Sequence, residues 1–309
     1  MSGAVRTFVV VNPRSAAGAT GRRWKHIADA IRCAIGTFET GVTEGPEHAT
    51  DLTRGALASG FQRIVAVGGD GTLNEVACGF FGGRWPLRPD AILGVVPHGT
   101  GCDFVRSLGV ERGVGAACAR LARARVRTID VGIARFAGHG GEDRQRIFVN
   151  AASFGCGGEV AAAIARGPKW LGGKLAFTLT SAATLLRHRD QEIAVSINDG
   201  PLETLNLTSF AVCNGEYFGG GMRVAPHAVV DDGRFAVTVW SDITFKDFVF
   251  LRRSLYDGTH VKNPKTRVYA ARKIAVTAKD RVLLEVDGEP VGTLPATLEI
   301  LAASLNVTV

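Results

Sequence analysis

The sequence lacks the marks of several large protein classes. Its six cysteines, at 33, 78, 102, 118, 156 and 213, include no C-x-x-C pair and no Cys/His cluster. They read as reduced thiols in a cytoplasmic protein rather than as a disulfide framework. No uncharged apolar run reaches membrane-spanning length, so no transmembrane helix is expected. The first strand signal starts at Thr7, which leaves no room for a secretory leader. Neither G-x-x-x-x-G-K-[ST] nor G-x-G-x-x-G occurs, so a Walker A loop and a dinucleotide turn are both excluded. Aromatic residues are few, at 7%, whereas glycine occurs 39 times; some glycines must serve positive φ or close approach to a ligand.

What is present is ordinary globular material. The 309 residues are 46% hydrophobic and 21% charged, enough for two domains with cores of their own. A net charge of +7 suits an anionic partner such as a nucleotide or an acidic membrane. Nucleic acid ranks last, because no recognition motif accompanies the charge. The basic cluster Arg187-His188-Arg189 reads as a solvated face.

Strand and helix signals alternate through the first 130 residues. Thr7–Val11, Phe38–Thr43, Ile64–Val67 and Ile92–Val96 read as strands. Helices are expected over Gly21–Ile35, where Trp24, Ile27, Ile31 and Ile35 share a face, and over Glu47–Ala58, Leu73–Phe81 and Gly115–Ala124. Repeated β-α units of this length predict a parallel sheet with ligands beyond the strand carboxyl ends. From about residue 131 to 296, short strands predict a mainly antiparallel β-sandwich. They include Glu192–Ile197, Phe210–Cys213, Phe235–Trp240, Lys273–Thr277 and Val282–Val286, with turns at Asp199-Gly200, Asp232-Gly233 and Asp287-Gly288. A helix is expected near Phe245–Tyr256, and a closing strand within 297–309 that returns to the first domain.

Gly68-Gly69-Asp70-Gly71-Thr72 follows a buried strand and opens a helix. Glycines admit phosphate oxygens to backbone amides, and a helix start adds partial positive charge. A carboxylate in that place calls for a magnesium ion or a hydroxyl proton beside it. As an isolated D-G-T, the segment would read as a turn with Thr72 as N-cap; the strand and two further glycines reverse that preference.

This loop resembles the G-G-D-G-T loop of diacylglycerol, sphingosine, ceramide and NAD kinases and, more remotely, phosphofructokinases. Asn12-Pro13-Arg14-Ser15 with Gly18 resembles the opening loop of the lipid kinases. Pro97-His98-Gly99-Thr100-Gly101-Cys102-Asp103-Phe104 resembles their P-x-G-T-x-N-D-F segment, with Cys102 in the place of Asn. Asn214-Gly215 through Asp232-Gly233, and Asp287-Gly288-Glu289, are similar to the second domain of bacterial diacylglycerol kinase-like proteins. In the stretch 150–160, Gly158-Glu159 stands where the family pattern has Asp-Ala.

The resemblance implies an α/β domain of the NAD kinase and phosphofructokinase kind followed by a β-sandwich. It implies an ATP- and magnesium-dependent lipid kinase working at the inner membrane surface. Asp287 would be the general base, supported by Glu289, with Asp70 as the alternative base. Asp70, Asp103 and Asp130 would serve the magnesium, and Asp232 a second, structural ion. Asn12, Ser15, Thr43, Gly68, Gly69, Gly71, Thr72, Glu75, Gly99 and Thr100 would contact the nucleotide. The apolar stretch Trp170–Leu186, bracketed by Arg166, Lys169, Arg187 and Arg189, would face lipid or the domain core. A kinase of a soluble acceptor such as NAD, and a silent lipid- or nucleotide-binding module, are the competing readings. The acceptor lipid is not legible, and the sequence is compatible with a homodimer without indicating one.

Overall fold

The computed structural model describes residues 5–99, 101–167 and 174–309. The expectations for Thr100 and for the side chains from Lys169 to Phe177 lie outside the described residues. The chain divides into two compact units, residues 1–129 with 303–309, and residues 130–302.

The first unit is built on β1 (Thr7–Val11), α1 (Ala19–Ile35), β2 (Glu39–Val42), α2 (His48–Ala58), β3 (Arg63–Gly68) and α3 (Asp70–Gly79). It continues with the two-residue strands β4 (Phe81–Gly82) and β5 (Trp85–Pro86), then β6 (Ile92–Pro97), α4 (Asp103–Ser107) and α5 (Val114–Arg123). The strands lie in the order β2–β1–β3–β6, all parallel. Asn306 and Val307 add a further parallel segment beside Ile92 and Leu93. A parallel sheet must be covered on both faces, and the β-branched runs supply two apolar faces. Val9, Val11, Val65 and Val67 pack under Ile27 and Ile31 of α1 and Ala117 and Leu121 of α5. Val10, Ile64 and Ala66, which alternate with them, are also buried, and α2 and α3 pack against β1 and β3. Because β1, β3 and β6 all run one way, their carboxyl ends deliver Asn12, Gly68 and Pro97 to the same edge of the sheet.

Helix α3 begins at Asp70 rather than Leu73, with Gly69 as its N-cap and Leu73 N–H donating to the Gly69 carbonyl. The glycine-rich segment is thus the first turn of the helix. An acidic residue in that turn suits the positive end of the helix.

The second unit contains β7 (Val126–Ala137, divided between the units at residue 130), β8 (Asp143–Phe148), β9 (Ala151–Gly155), α6 (Cys156–Arg166), α7 (Lys174–Leu185), β10 (Gln191–Ile197) and β11 (Glu203–Leu207). After these come β12 (Ser209–Cys213), β13 (Phe235–Trp240), α8 (Phe245–Asp257), β14 (Thr266–Ala271), β15 (Lys273–Ala278), β16 (Leu283–Val286) and β17 (Glu289–Thr308). One antiparallel run is β14–β13–β12–β9–β16, and another joins β11, β10, β15 and β17. Their shared core stacks Phe148 on Phe235 and Phe154 on Phe210, with ring centroids 5.5 and 4.7 Å apart.

Helix α6 is a finding the sequence pattern did not announce, because Gly157 and Gly158 interrupt its first turn. A Cβ on Gly158 would run into the Leu283 carbonyl, so glycine there lets the helix lie directly on β16. The unexpected Gly158 is therefore a packing requirement.

Replacing Phe154 with alanine removes a fully buried ring from the sandwich core. The expected cost is about 3–5 kcal/mol, read as a lower urea midpoint with an unchanged slope.

Candidate active site

At the sheet edge of the first unit, four loops are joined by short polar contacts. The Asn12 side-chain amide donates to Thr72 Oγ1 at 3.0 Å, and Asn12 N–H donates to the Val67 carbonyl at 3.1 Å. Thr43 follows β2, and its N–H donates to the Val11 carbonyl at 2.9 Å. Ser15 is turned inward, its hydroxyl donating to the Asn12 carbonyl at 2.9 Å. Thr20 Oγ1 lies 2.7 Å from His98 Nδ1, a link between residues that no motif connects. His98 N–H donates to the Gly68 carbonyl at 2.7 Å, joining the ends of β3 and β6. A Cβ on Gly99 would strike Gly69 Cα, so these loops touch backbone to backbone. The result is a shallow cradle of glycines, the form that phosphate recognition by amides requires.

Two carboxylates flank this cradle. A Cβ placed on Gly101 would lie 2.8 Å from Asp70 Oδ2 and 3.8 Å from Asp103 Oδ2. Asp70 Oδ1 accepts from Phe104 N–H at 3.4 Å, and Asp103, the first residue of α4, is buried. Cys102 sits in the left-handed region at φ 51°, a conformation that asparagine adopts more readily. Its thiol lies 3.5 Å from the Gly99 carbonyl and is pushed up in pKa by burial and then by Asp70.

Glu75, expected at the nucleotide, is engaged elsewhere. Its carboxylate accepts from Glu47 N–H at 3.0 Å and Ala49 N–H at 3.3 Å, capping the start of α2.

In the second unit, Asp287 and Gly288 form the two-residue turn between β16 and β17, both at positive φ, 47° and 85°. This is the hairpin geometry that Asp-Gly favours. The side chain is not that of a solvated turn. Asp287 is half-buried, and its carboxylate accepts from Val149, Ala151 and Asn150 N–H at 2.9, 2.8 and 3.1 Å. Burial raises its pKa, while the three amides and Arg146 pull it back. Glu289 pairs with Arg146 at 3.0 Å.

Glu285, two residues before Asp287, went unnoticed in the sequence. It is fully buried, accepts from Ser153 Oγ at 2.6 Å and Gly288 N–H at 2.8 Å, and burial pushes its pKa up to about 8. The available signal was a charged residue inside the buried run Leu284-Glu285-Val286.

Glu285 and Gly288 also line a cavity of about 200 Å³ within this unit. Val160, Leu185, Trp240, Phe248 and Leu255 make the rest of it strongly apolar. Its walls come from α6, α7 and α8 as well as the sheet, so the apolar helix expected around Trp170–Leu186 is only one contributor.

Asp130 Oδ2 accepts from Gly233 N–H at 2.6 Å, and Asp232 Oδ1 from Arg234 N–H at 3.0 Å. Among the described residues no group of three His, Cys, Asp or Glu side chains is gathered to hold a metal. The Asp70 and Asp103 oxygens still fit magnesium, which commonly takes one or two carboxylates and completes its shell with water and substrate phosphate.

Residues 6–134 match the diacylglycerol kinase catalytic domain, and residues 150–309 match the YegS C-terminal NAD kinase beta sandwich-like domain. A diacylglycerol kinase of Bacillus subtilis is 28% identical over 98% of this chain and 95% of its own. The crystal structure of a diacylglycerol kinase from Bacillus anthracis superposes with a TM-score of 0.73 at 20% identity, covering 100% of this chain and 98% of that one. An NAD kinase from Archaeoglobus fulgidus in complex with ATP shares the fold at a TM-score of 0.53 and 16% identity, covering 98% and 93% of the two chains.

Glu285 makes stability depend on pH. Its folded pKa of about 8 lies above the ordinary 4.5, so the folded state keeps a proton that the unfolded state releases. Stability is full below about pH 4.5, falls as pH rises toward 8, and then levels. Each tenfold difference in proton affinity between the two states corresponds to about 1.4 kcal/mol. Glu285→Gln should flatten this fall, raising Tm relative to the parent at pH 8 but not at pH 4; equal differences at both values would contradict the buried-acid account.

Proposed function

From a chain that belongs to the lipid kinases built of a diacylglycerol kinase catalytic domain and a YegS-type C-terminal domain, we infer that it transfers the γ-phosphoryl group of ATP to a lipid hydroxyl, diacylglycerol being the first candidate. The observation that carries this reading is the apolar cavity whose lining includes Gly288, the neighbour of Asp287, and Glu285, which accepts from Gly288 N–H. A cavity with that lining suits acyl chains and offers little to an adenine or a nicotinamide.

In this reading Asp287 accepts the proton of the attacking hydroxyl. An alcohol titrates far above neutrality, so a placed base is needed, and a carboxylate raised by burial is better matched to that task than a solvated one. The three amides that hold Asp287 fix the orientation of its carboxylate. Glu289 and Arg146 steady the turn from its exposed side.

The glycine cradle at 68–72 and 99 receives the phosphates through backbone amides, with Asn12 and Thr72 locking the two loops in register. Asp70 and Asp103 would hold magnesium, and the ion would supply charge neutralisation at the transferring phosphates. Asp130 and Asp232 stay outside that set, each bound to a backbone amide of the 232–234 turn. Glu75 acts indirectly, by fixing α2 against α3.

The test is incubation with labelled ATP, magnesium and a panel of lipids and soluble acceptors, followed by separation of the products. Label is expected in a single lipid class. Asp287→Asn should lower kcat by about a hundredfold or more while nucleotide affinity holds, and Asp70→Asn should weaken magnesium dependence as well as turnover. Label in NAD, or in no lipid, would overturn the reading. Full turnover in Asp287→Asn with loss only in Asp70→Asn would move the base to Asp70.

A further inference from the structure

Helix α8 turns two different faces to its surroundings. On the inner side Phe248 and Leu255 wall the apolar cavity. Asp247 closes a capping box with Thr244 and pairs with Lys265 at 2.7 Å, which neutralises its charge locally. The outer side should be polar on an ordinary surface helix. Instead Phe250 is 83% exposed, Val249 54% and Phe245 36%. Among the described residues, the other exposed positions of α8 are Lys246, Arg252, Arg253 and, at its last residue, Asp257, which lies in the field of Arg253. At about 100° per residue, Phe245, Val249, Arg253, Lys246 and Phe250 fall in one arc of the helix, with Arg252 at its border.

Helix α7, which packs on α8, extends the same chemistry: Leu179 and Leu186 are 56% and 62% exposed, and Arg187 and Arg189 follow in the exposed turn. Ile164 of α6, 41% exposed, belongs to both the cavity lining and the outer surface. An exposed apolar stripe set among cations is the pattern of a helix lying in a membrane interface, rings in the acyl boundary and bases at the headgroups.

We propose that the outer face of α8, continued by Leu179 and Leu186, docks on an anionic phospholipid bilayer. A second copy fits this face poorly. A two-fold contact would set the same patch against itself, and a face with three cations and one acid would meet its own excess of positive charge. A bilayer supplies both complements at once, apolar depth and negative charge. Docking in this orientation brings the helix that walls the cavity to the lipid surface. In that respect the inference rests on the lipid-acceptor reading, although binding is measured apart from catalysis.

The experiment is sedimentation of the full chain with phosphatidylcholine vesicles, with and without phosphatidylglycerol. Binding should require the anionic lipid and weaken with salt. Phe250→Asp, and separately the Arg252→Glu/Arg253→Glu pair, should each lower vesicle affinity by about tenfold or more. All these side chains are exposed, so the fold should persist. Phosphorylation of a short-chain diacylglycerol in detergent micelles should be unchanged in Phe250→Asp, while activity on vesicles falls. Unchanged vesicle binding in both variants overturns the proposal. So does a shift from dimer to monomer in Phe250→Asp with vesicle binding intact, which would make α8 a subunit contact. A parent protein that binds anionic vesicles through α8 but phosphorylates no lipid would refute the acceptor reading and leave this one standing.

Discussion

The second unit depends on a half-buried carboxylate held by backbone amides. Placing an acid beneath a β-sandwich is costly unless its lone pairs are used. Asp287 uses them on three successive backbone amides, Val149, Asn150 and Ala151. The arrangement is reciprocal, since Asp287 N–H donates back to the Ala151 carbonyl at 2.8 Å. One side chain thereby locks the β16–β17 turn to the start of β9. Glu285 reinforces it from behind by bonding Gly288 N–H and Ser153. Both acids tie the turn, Glu285 fully buried and Asp287 half-buried, and burial raises the pKa of each.

The asparagines around this turn follow the same logic. Asn214 donates its side-chain amide to the carbonyls of Asp130 and Val149, both at 2.9 Å, and Asn150 donates to the Tyr217 carbonyl at 2.9 Å. The side-chain oxygens of Asn150 and Asn214 are buried without a protein partner. The cavity lining joins Glu285 and Gly288 to the apolar side chains of Phe248, Leu255 and Trp240. The first unit solves a different problem. It gathers anion-seeking backbone at one sheet edge and keeps side chains out of the way, using Gly69 and Gly99 where two loops must touch.

Much of this was legible without coordinates. The β-branched runs at 7–11, 64–67 and 92–96 specify strands because they suit a sheet covered on both faces. The helical face of Ile27 and Ile31 is set by the helical period. Asp287-Gly288 announces a turn because few other pairs tolerate consecutive positive φ, and at Asp199-Gly200 the turn forms with the positive pair one residue earlier, at Asn198 and Asp199. The G-G-D-G-T, N-P-x-S and D-G-E segments pointed to phosphoryl transfer by their order and residue types. These are local properties, carried by a few neighbouring residues, and a linear chain displays them directly.

What the tertiary structure decided involves partners far apart in the chain. Glu75 had the composition of a nucleotide contact, yet it caps α2, because only packing of α3 beside α2 brings the Glu47 and Ala49 amides within its reach. Glu285 looked like an ordinary polar position in a strand until both of its faces were covered. Helix α6 was hidden by two glycines, one of which serves a close approach to Leu283, far away along the chain. The outward face of α8 could not be told from its inward face by periodicity, since both carry phenylalanine; burial alone separates Phe248 from Phe250. Backbone preference and chemical inventory are written along the chain, whereas desolvation, which sets pKa and exposes or hides an apolar side chain, exists only once distant segments have packed.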